Sequence, residues 1–227
     1  MKNINKVLYA ILAVVMVSAF GFRKSFSQVT DKDGNVYKTV VIGTQEWMAE
    51  NLNVEHYRNG DVIPQVQDAK EWGKLTTGAW SYYNNDPANG KIYGKLYNWY
   101  AVNDPRGLAP EGWRIPSDEE WTQLTDYLGG ESIAGGKMKA TTLWLSPNVG
   151  ATNRSGFSAF PGDCRQDDGK FHYRVRNDIN NMLGYFWSSS AYDYNYAWLR
   201  VLYYNYSVVY RHCFDKGNWF SVRCVRD

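Results

Sequence analysis

Histidine is scarce in this chain. The three present, His56, His172 and His212, have no second histidine at i+4, so the paired-histidine metal motif of a helix is absent. Cysteine is scarce as well. Cys164, Cys213 and Cys224 contain no CxxC, the common spacing of a structural zinc site. An exported chain with three cysteines can close one disulfide and leave one thiol; three pairings are open, and spacing does not choose among them. Thiol or copper chemistry would need Cys213 and Cys224 side by side with a lowered pKa; one structural disulfide plus an incidental thiol is the simpler expectation. Charge of one sign is lacking too. A net +2 gives no electrostatic support to a nucleic-acid partner.

Catalytic patterns are equally thin. No phosphate-binding glycine loop occurs. "RSGFS" holds a Gly-x-Ser fragment, but GxSxG is absent. Ser188-Ser189-Ser190 after "GYFW" reads as strand and turn hydroxyls, and Asp167-Asp168 before Gly169 reads as a turn rather than a carboxylate pair. "DKDGN" at 31–35 invites a calcium reading, but the sixth and twelfth positions of such a loop would be Val36 and Ile42 instead of Gly and Glu; a hairpin turn explains it better. No catalytic residue, metal or cofactor is expected.

Long apolar runs are missing except at the start. Val7 to Phe22 is almost wholly apolar, behind Lys2 and Lys6 and ahead of Ser25-Phe26-Ser27. This reads as a signal peptide over 1–27, with the mature chain exported or displayed on the outer surface. An uncleaved anchor is the alternative, though the run falls short of the roughly twenty residues of a spanning helix. With no Cys in this region, a lipid-modified N-terminal Cys is excluded. Residues 28–227 fit one domain, with no linker, charge block or low-complexity tract to divide them.

What the chain has in abundance is aromatics: ten Trp and eighteen Tyr. It also has one clear helix, "PSDEEWTQLTDYLGG". Ser117 is the N-cap, Glu120 completes a capping box, Trp121, Leu124 and Leu128 share a face, and Gly129-Gly130 ends it. Weaker helices are expected at 68–75, at about 94–103 and over "AGGKMKATT". Strands are expected at "NVYKTVVIG", "KFHYRVR" (Phe171, Tyr173 and Val175 on one face), "GYFWSSS", "YAWLRVLY" and "NWFSVRCVRD". "YYNNDPANGK" and "VNDPRGLAPEGW" read as long connections. The fold class is α+β: a few helices first, then an antiparallel sheet with long loops.

The phrases "VTDKDGNVYKTVVIGTQEWMAENLN", "YGKLYNWYAV", "GWRIPSDEEWTQL", "SGFSAFPGDCR", "FWSSS" and "SVRCVRD" together resemble the Fibrobacter succinogenes major paralogous domain family, from about Val29 to Asp227. Two positions depart from its pattern. Asp163 stands where "FPGG" usually has its second Gly, and Trp219 replaces a common Gly before "FSVRCV". "WRIPSDEEW" and the ending "VRCVR" also resemble formylglycine-generating-enzyme-like domains. That resemblance implies a C-type-lectin-like fold with its termini close together. The enzyme members use a reactive cysteine pair that nothing here clearly matches, so the fold carries over and the oxidase activity does not.

Such domains can be targets of diversity-generating retroelements, which randomise template adenines. An AAC codon so treated yields Asn, Tyr, Asp, His, Ser, Gly, Cys, Arg, Thr, Ala, Pro, Ile, Val, Leu or Phe, never Glu, Gln, Met, Lys or Trp. Between Tyr192 and Asn218 only Trp198 and Lys216 fall outside that set. Both are expected to be fixed framework, with Trp198 packing inward. The stretch "YDYNYAWLRVLYYNYSVVY" is then a binding face of rigid, amphipathic tyrosines and adaptable asparagines. Its candidate contacts are Tyr192, Asp193, Tyr194, Asn195, Tyr196, Tyr203, Tyr204, Asn205, Tyr206, Tyr210, His212 and Phe214, of which alternation sends about half to solvent. The partner is an unidentified protein or glycan. A plain Tyr-rich strand pair and a carbohydrate-binding adhesion module are the competing readings.

Overall fold

A computed structural model describes residues 27–171 and 182–227. The expected signal peptide as far as Phe26, His172 and the strand "KFHYRVR" beyond Phe171 lie outside the described residues. Among those residues, no helix is long and apolar enough to cross a membrane.

The elements follow in chain order. Strands β1 (Gln28–Thr30), β2 (Val36–Ile42) and β3 (Gln45–Met48) come first, then helix α1 (Ala69–Trp72), β4 (Trp80–Ser81), α2 (Pro87–Tyr93), β5 (Leu96–Asn98), α3 (Trp99–Val102) and β6 (Trp113–Arg114). The second half holds α4 (Asp118–Tyr127), α5 (Glu131–Met138), β7 (Leu183–Ala191), β8 (Tyr196–Tyr203), β9 (Val209–Asp215), β10 (Trp219–Phe220) and β11 (Val225–Arg226). The chain is α+β, as expected. The strands form three separate sheets, ordered β1-β2-β3-β11-β6, β10-β5-β4 and β7-β8-β9, with antiparallel pairing throughout. The first and last strands share the first sheet, and strands alternate with helices from the start instead of following them.

Local rules held where they agreed with one another. α4 carries both halves of its capping box: Glu120 N–H donates to Ser117 Oγ at 3.2 Å, and Ser117 N–H to Glu120 Oε2 at 2.8 Å. "DKDGN" is the expected turn; Asp31 Oδ1 accepts from the N–H groups of Asp33 and Asn35 at 2.9 Å each. Three expectations change. The helix read over 94–103 is strand β5 followed by the single turn α3, because Gly94 at φ 72° breaks the chain from α2 and Asn98 caps a new start. Part of the connection "YYNNDPANGK" is helix α2, opened by Asp86 as N-cap and Pro87 in the first turn. "NWFSVRCVRD" splits into β10 and β11, which join different sheets.

Indole and guanidinium groups staple the long loops. Trp80, Trp99, Trp121, Trp144 and Trp187 each donate Nε1–H to a backbone carbonyl, those of Ile63, Ser188, Trp187, Ala159 and Tyr97. Each ring thus buries a large apolar area while its N–H finds a backbone acceptor. Arg223, fully buried, donates to the carbonyls of Met48, Phe157 and Ser158 and to Asn51 Oδ1. Arg165 does the same for Val66, Gln67 and Gly169 while lying 3.6 Å over the Trp72 ring. The expected disulfide is not formed: all three cysteines are free thiols. Cys164 and Cys224 sit in one core cluster with Ala197, Leu199 and Val201, whereas Cys213 is paired with Trp198 on the opposite face of β8 and β9.

Candidate binding surface

The Tyr-rich stretch builds the β7-β8-β9 sheet, and its register assigns the faces. Ala197, Leu199 and Val201 oppose Phe214, His212 and Tyr210. On the other side Leu199, Val201 and Tyr203 oppose Trp187, Tyr185 and Leu183. All of these point one way. Toward β7 this face is covered: Trp187 meets Phe220 at 4.5 Å and donates to the Tyr97 carbonyl. Toward the margin at β9 it stays half-open. There the rings form a chain, Tyr206–Tyr203–Tyr210 at 6.2 and 5.1 Å, then Tyr210–His212 at 5.9 Å and His212–Phe214 at 6.4 Å. Phe214 reaches Tyr185 at 6.2 Å, and Tyr185 stacks on Phe220 at 4.8 Å. Burial raises the Tyr203 hydroxyl above its ordinary pKa, so the phenol stays protonated and able to donate.

The opposite face meets helix α4. Leu202 and Val209 enter a second core cluster with Trp121, Leu124 and Phe186. Arg200, almost fully buried, donates to Asp118 Oδ1 at 2.7 Å, and exposed Arg211 to Asp118 Oδ2 at 2.7 Å. Burial alone would raise Asp118; the two guanidinium groups outweigh it and hold the carboxyl below 3.8. Trp198 does not pack inward as expected. It is half-buried on this face, with Arg211 3.5 Å over its ring and the Tyr192 ring at 4.8 Å.

The candidate residues therefore do not share one face. Tyr203, Tyr210, His212 and Phe214, with Tyr206, form the aromatic strip. Tyr196 lies on the α4 side with Tyr192 beside it. Asp193, Tyr194 and Asn195 make the exposed β7–β8 turn, where Tyr194 is 92% exposed. Tyr204 packs against the second core cluster, and the Asn205 Oδ1 is buried without a hydrogen-bond partner among the described residues; these two are poorly placed for contact. Sequence reasoning missed Tyr185, which the alternation in "GYFW" could have placed on the strip. It also missed Lys139. Its ammonium, inaccessible to solvent, donates to the carbonyls of Val149, Tyr203 and Tyr206 at 3.0, 2.9 and 2.9 Å, holding the β8–β9 loop from beneath. Gly135 lets that loop approach α5, since a Cβ there would lie 2.6 Å from the Val208 carbonyl oxygen.

For chemistry elsewhere, the described residues hold no group of three or more His, Cys, Asp and Glu placed to bind a metal. Cys213 lies in β9 and Cys224 in the connection before β11, and burial pushes the Cys224 thiol well up, away from the reactive thiolate. His56 Nδ1 lies 2.5 Å from Asp33 Oδ1 beside a cleft of about 210 Å³ lined by Thr30, Arg58 and Glu111 among others.

A comparison with protein families matches the model of the Fibrobacter succinogenes major domain over residues 40–226. The chain belongs to that family. No curated protein and no solved structure matches it. In this major domain the two departures from the family pattern acquire physical reasons. Asp163 has φ 52°, a conformation native to Gly and tolerated by Asp. Its carboxyl is 4% exposed, and burial raises its pKa to about 6. Trp219 begins β10 fully buried, packed against Trp72 under Arg165.

Proposed function

We propose that this major domain is an exported, non-enzymatic ligand-binding protein with a C-type-lectin-like fold, whose 192–218 segment supplies the recognition surface. The observation that carries the reading is the strip Tyr206–Tyr203–Tyr210–His212–Phe214. It is a run of aromatic rings along the open margin of a sheet whose backbone is fixed by buried elements on both sides. Rigid aromatics on a fixed scaffold lose little conformational entropy on binding. The rings of Tyr203, Tyr206 and Tyr210 meet at 77–80°, so they offer no common flat platform for successive sugar rings. A protein ligand fits better than a glycan.

Of the residues between Tyr192 and Asn218 that AAC randomisation cannot produce, Lys216 reaches the framework, 4.6 Å over Trp99, whereas Trp198 is half-buried against Arg211 and Tyr192 of the same segment. The Lys216 contact supports retroelement diversification of the segment. The test has two arms. Mature chain is screened against arrayed proteins and glycans, with Tyr203→Ala/Tyr210→Ala as the control; binding that survives the double substitution argues against the strip. The gene's 3′ flank is read for a near-repeat differing at template adenines and for a reverse transcriptase gene; absence of both removes the retroelement origin.

A further inference from the structure

The turn between β7 and β8 is held by backbone atoms, one carboxylate and one lysine. Tyr192 N–H and Asp193 N–H donate to the Tyr196 carbonyl at 2.9 and 3.2 Å. Asp193 Oδ1 accepts from Asn195 N–H and Tyr196 N–H at 2.8 Å each. Lys216 N–H donates to the Asn195 carbonyl at 2.9 Å, and Lys216 Nζ to the carbonyls of Asp193 and Tyr194 at 2.8 Å each. Every carbonyl from Asp193 to Tyr196 is therefore taken. The fixing groups are backbone atoms, the Asp193 carboxylate and one lysine anchored from the far side of the turn. The side chains of Tyr192, Tyr194 and Tyr196 take no part in it and stand 54%, 92% and 42% exposed.

We infer that this turn is an exchangeable recognition loop: Tyr192, Tyr194, Asn195 and Tyr196 determine specificity, and Asp193 and Lys216 are positioning residues that hold its shape for any of those side chains except proline, which lacks the N–H the turn uses at 192, 195 and 196. The inference rests on the reading of this segment as a binding surface. It also divides that segment. At the other end of β8, Lys139 pins the loop backbone in a similar way, but there half-buried Tyr204 packs against the second core cluster and Asn205 turns its Oδ1 inward, so these two are not exchangeable. At 193 only a short acceptor side chain can bridge the two N–H groups, so Asp, Asn, Ser and Thr are admissible and the other AAC-derived residues are not. Three tyrosines standing out from a rigid turn suit a partner that supplies the concavity, a folded protein surface.

The experiment displays the full mature chain on yeast with NNC codons at 192, 194, 195 and 196 in one library, at 193 in a second and at 204 and 205 in a third. Protease resistance is read for each member. Most members of the first library should match the parent. The second should retain only Asp, Asn, Ser and Thr, and most of the third should be lost. Lys216→Met, which keeps packing on Trp99 and removes the donors, should speed amide exchange at Asn195 and Tyr196 by roughly tenfold or more while β8 amides are unchanged. Loss of resistance at Tyr194 comparable to that of Leu199→Ala would overturn the inference. So would unaltered tip exchange in the Lys216→Met protein. A chain that meets every expectation but binds nothing in the array screen leaves the loop inference standing and removes the binding reading instead.

Discussion

The Lys139 ammonium donates to the Tyr203 carbonyl at 2.9 Å from a position that solvent does not reach. The same nitrogen also holds Val149 and Tyr206 through their carbonyls. A lysine in the "AGGKMK" segment thus fixes a loop more than sixty residues away. Lys139→Met would take this donor from the Tyr203 and Tyr206 carbonyls, while Val149 keeps Ser207 Oγ; each carbonyl left unmet costs about 1–3 kcal/mol. Water entry would recover part of this, so a net loss of about 2–4 kcal/mol is expected in urea unfolding. A variant as stable as the parent would show that the loop does not depend on this contact.

Asp163 makes a pH prediction. Its pKa is raised by burial from 3.8 to about 6, so between those values the folded chain binds more protons than the unfolded one. Stability from this group is then full below about pH 4 and falls as pH rises to about 6, after which the cost stays constant. A shift of this size corresponds to about 3 kcal/mol at pH 7. Asp163→Asn keeps the tolerated positive φ and removes the charge. It should be more stable than the parent at pH 7, by roughly 1–3 kcal/mol, and indistinguishable at pH 3.5. Denaturation curves of both proteins from pH 3.5 to 7.5 check this; parallel curves would refute it.

Asp118 titrates with the opposite sign. Its pKa is held below 3.8, so the stability it contributes is present above pH 4 and is lost as pH falls through the lowered value. Its two partners are unequal. Arg200 is 3% exposed and Arg211 40% exposed at the side chain. Asp118→Asn strands the buried guanidinium and should cost about 3 kcal/mol or more, whereas Arg211→Ala should cost no more than about 1 kcal/mol. Equal costs in thermal unfolding at pH 7 would contradict this ranking.

How much was legible beforehand follows from the range of the forces involved. α4 could be read because capping, charge placement and periodicity all lie within its own residues. The strand at 196–203 was equally local and is there as β8, though it is buried on both faces from Leu199 to Leu202 instead of alternating with solvent. Which side of that strand meets solvent was not local. It depends on Asp118, 82 residues from Arg200, and on Phe220 and Tyr97 covering the face toward β7. Trp198 was misread for that reason: its exposure is set by Arg211 and Tyr192, not by its hydrophobicity. The sheets were hard to foresee because several strands are only two residues long, paired where tryptophan and arginine side chains bring loops together. The split of the candidate residues between strip, turn and buried loop follows from the same contacts.

Phe214 and Tyr194 should separate stability from recognition. Phe214 is half-buried and meets Tyr185, His212 and Phe220; truncating it removes apolar contacts on both sides of the strip's lower end. Phe214→Ala is expected to cost about 1–3 kcal/mol. Tyr194, 92% exposed, loses almost nothing of the fold on truncation, and Tyr194→Ala should lie within about 0.5 kcal/mol of the parent. For a ligand found in the array screen the order reverses in interest. A stability-neutral Tyr194→Ala that weakens binding tenfold or more, about 1.4 kcal/mol, would identify a contact made directly by the turn. An unchanged dissociation constant for Tyr194→Ala, measured beside a weakened Tyr210→Ala, would assign recognition to the strip alone.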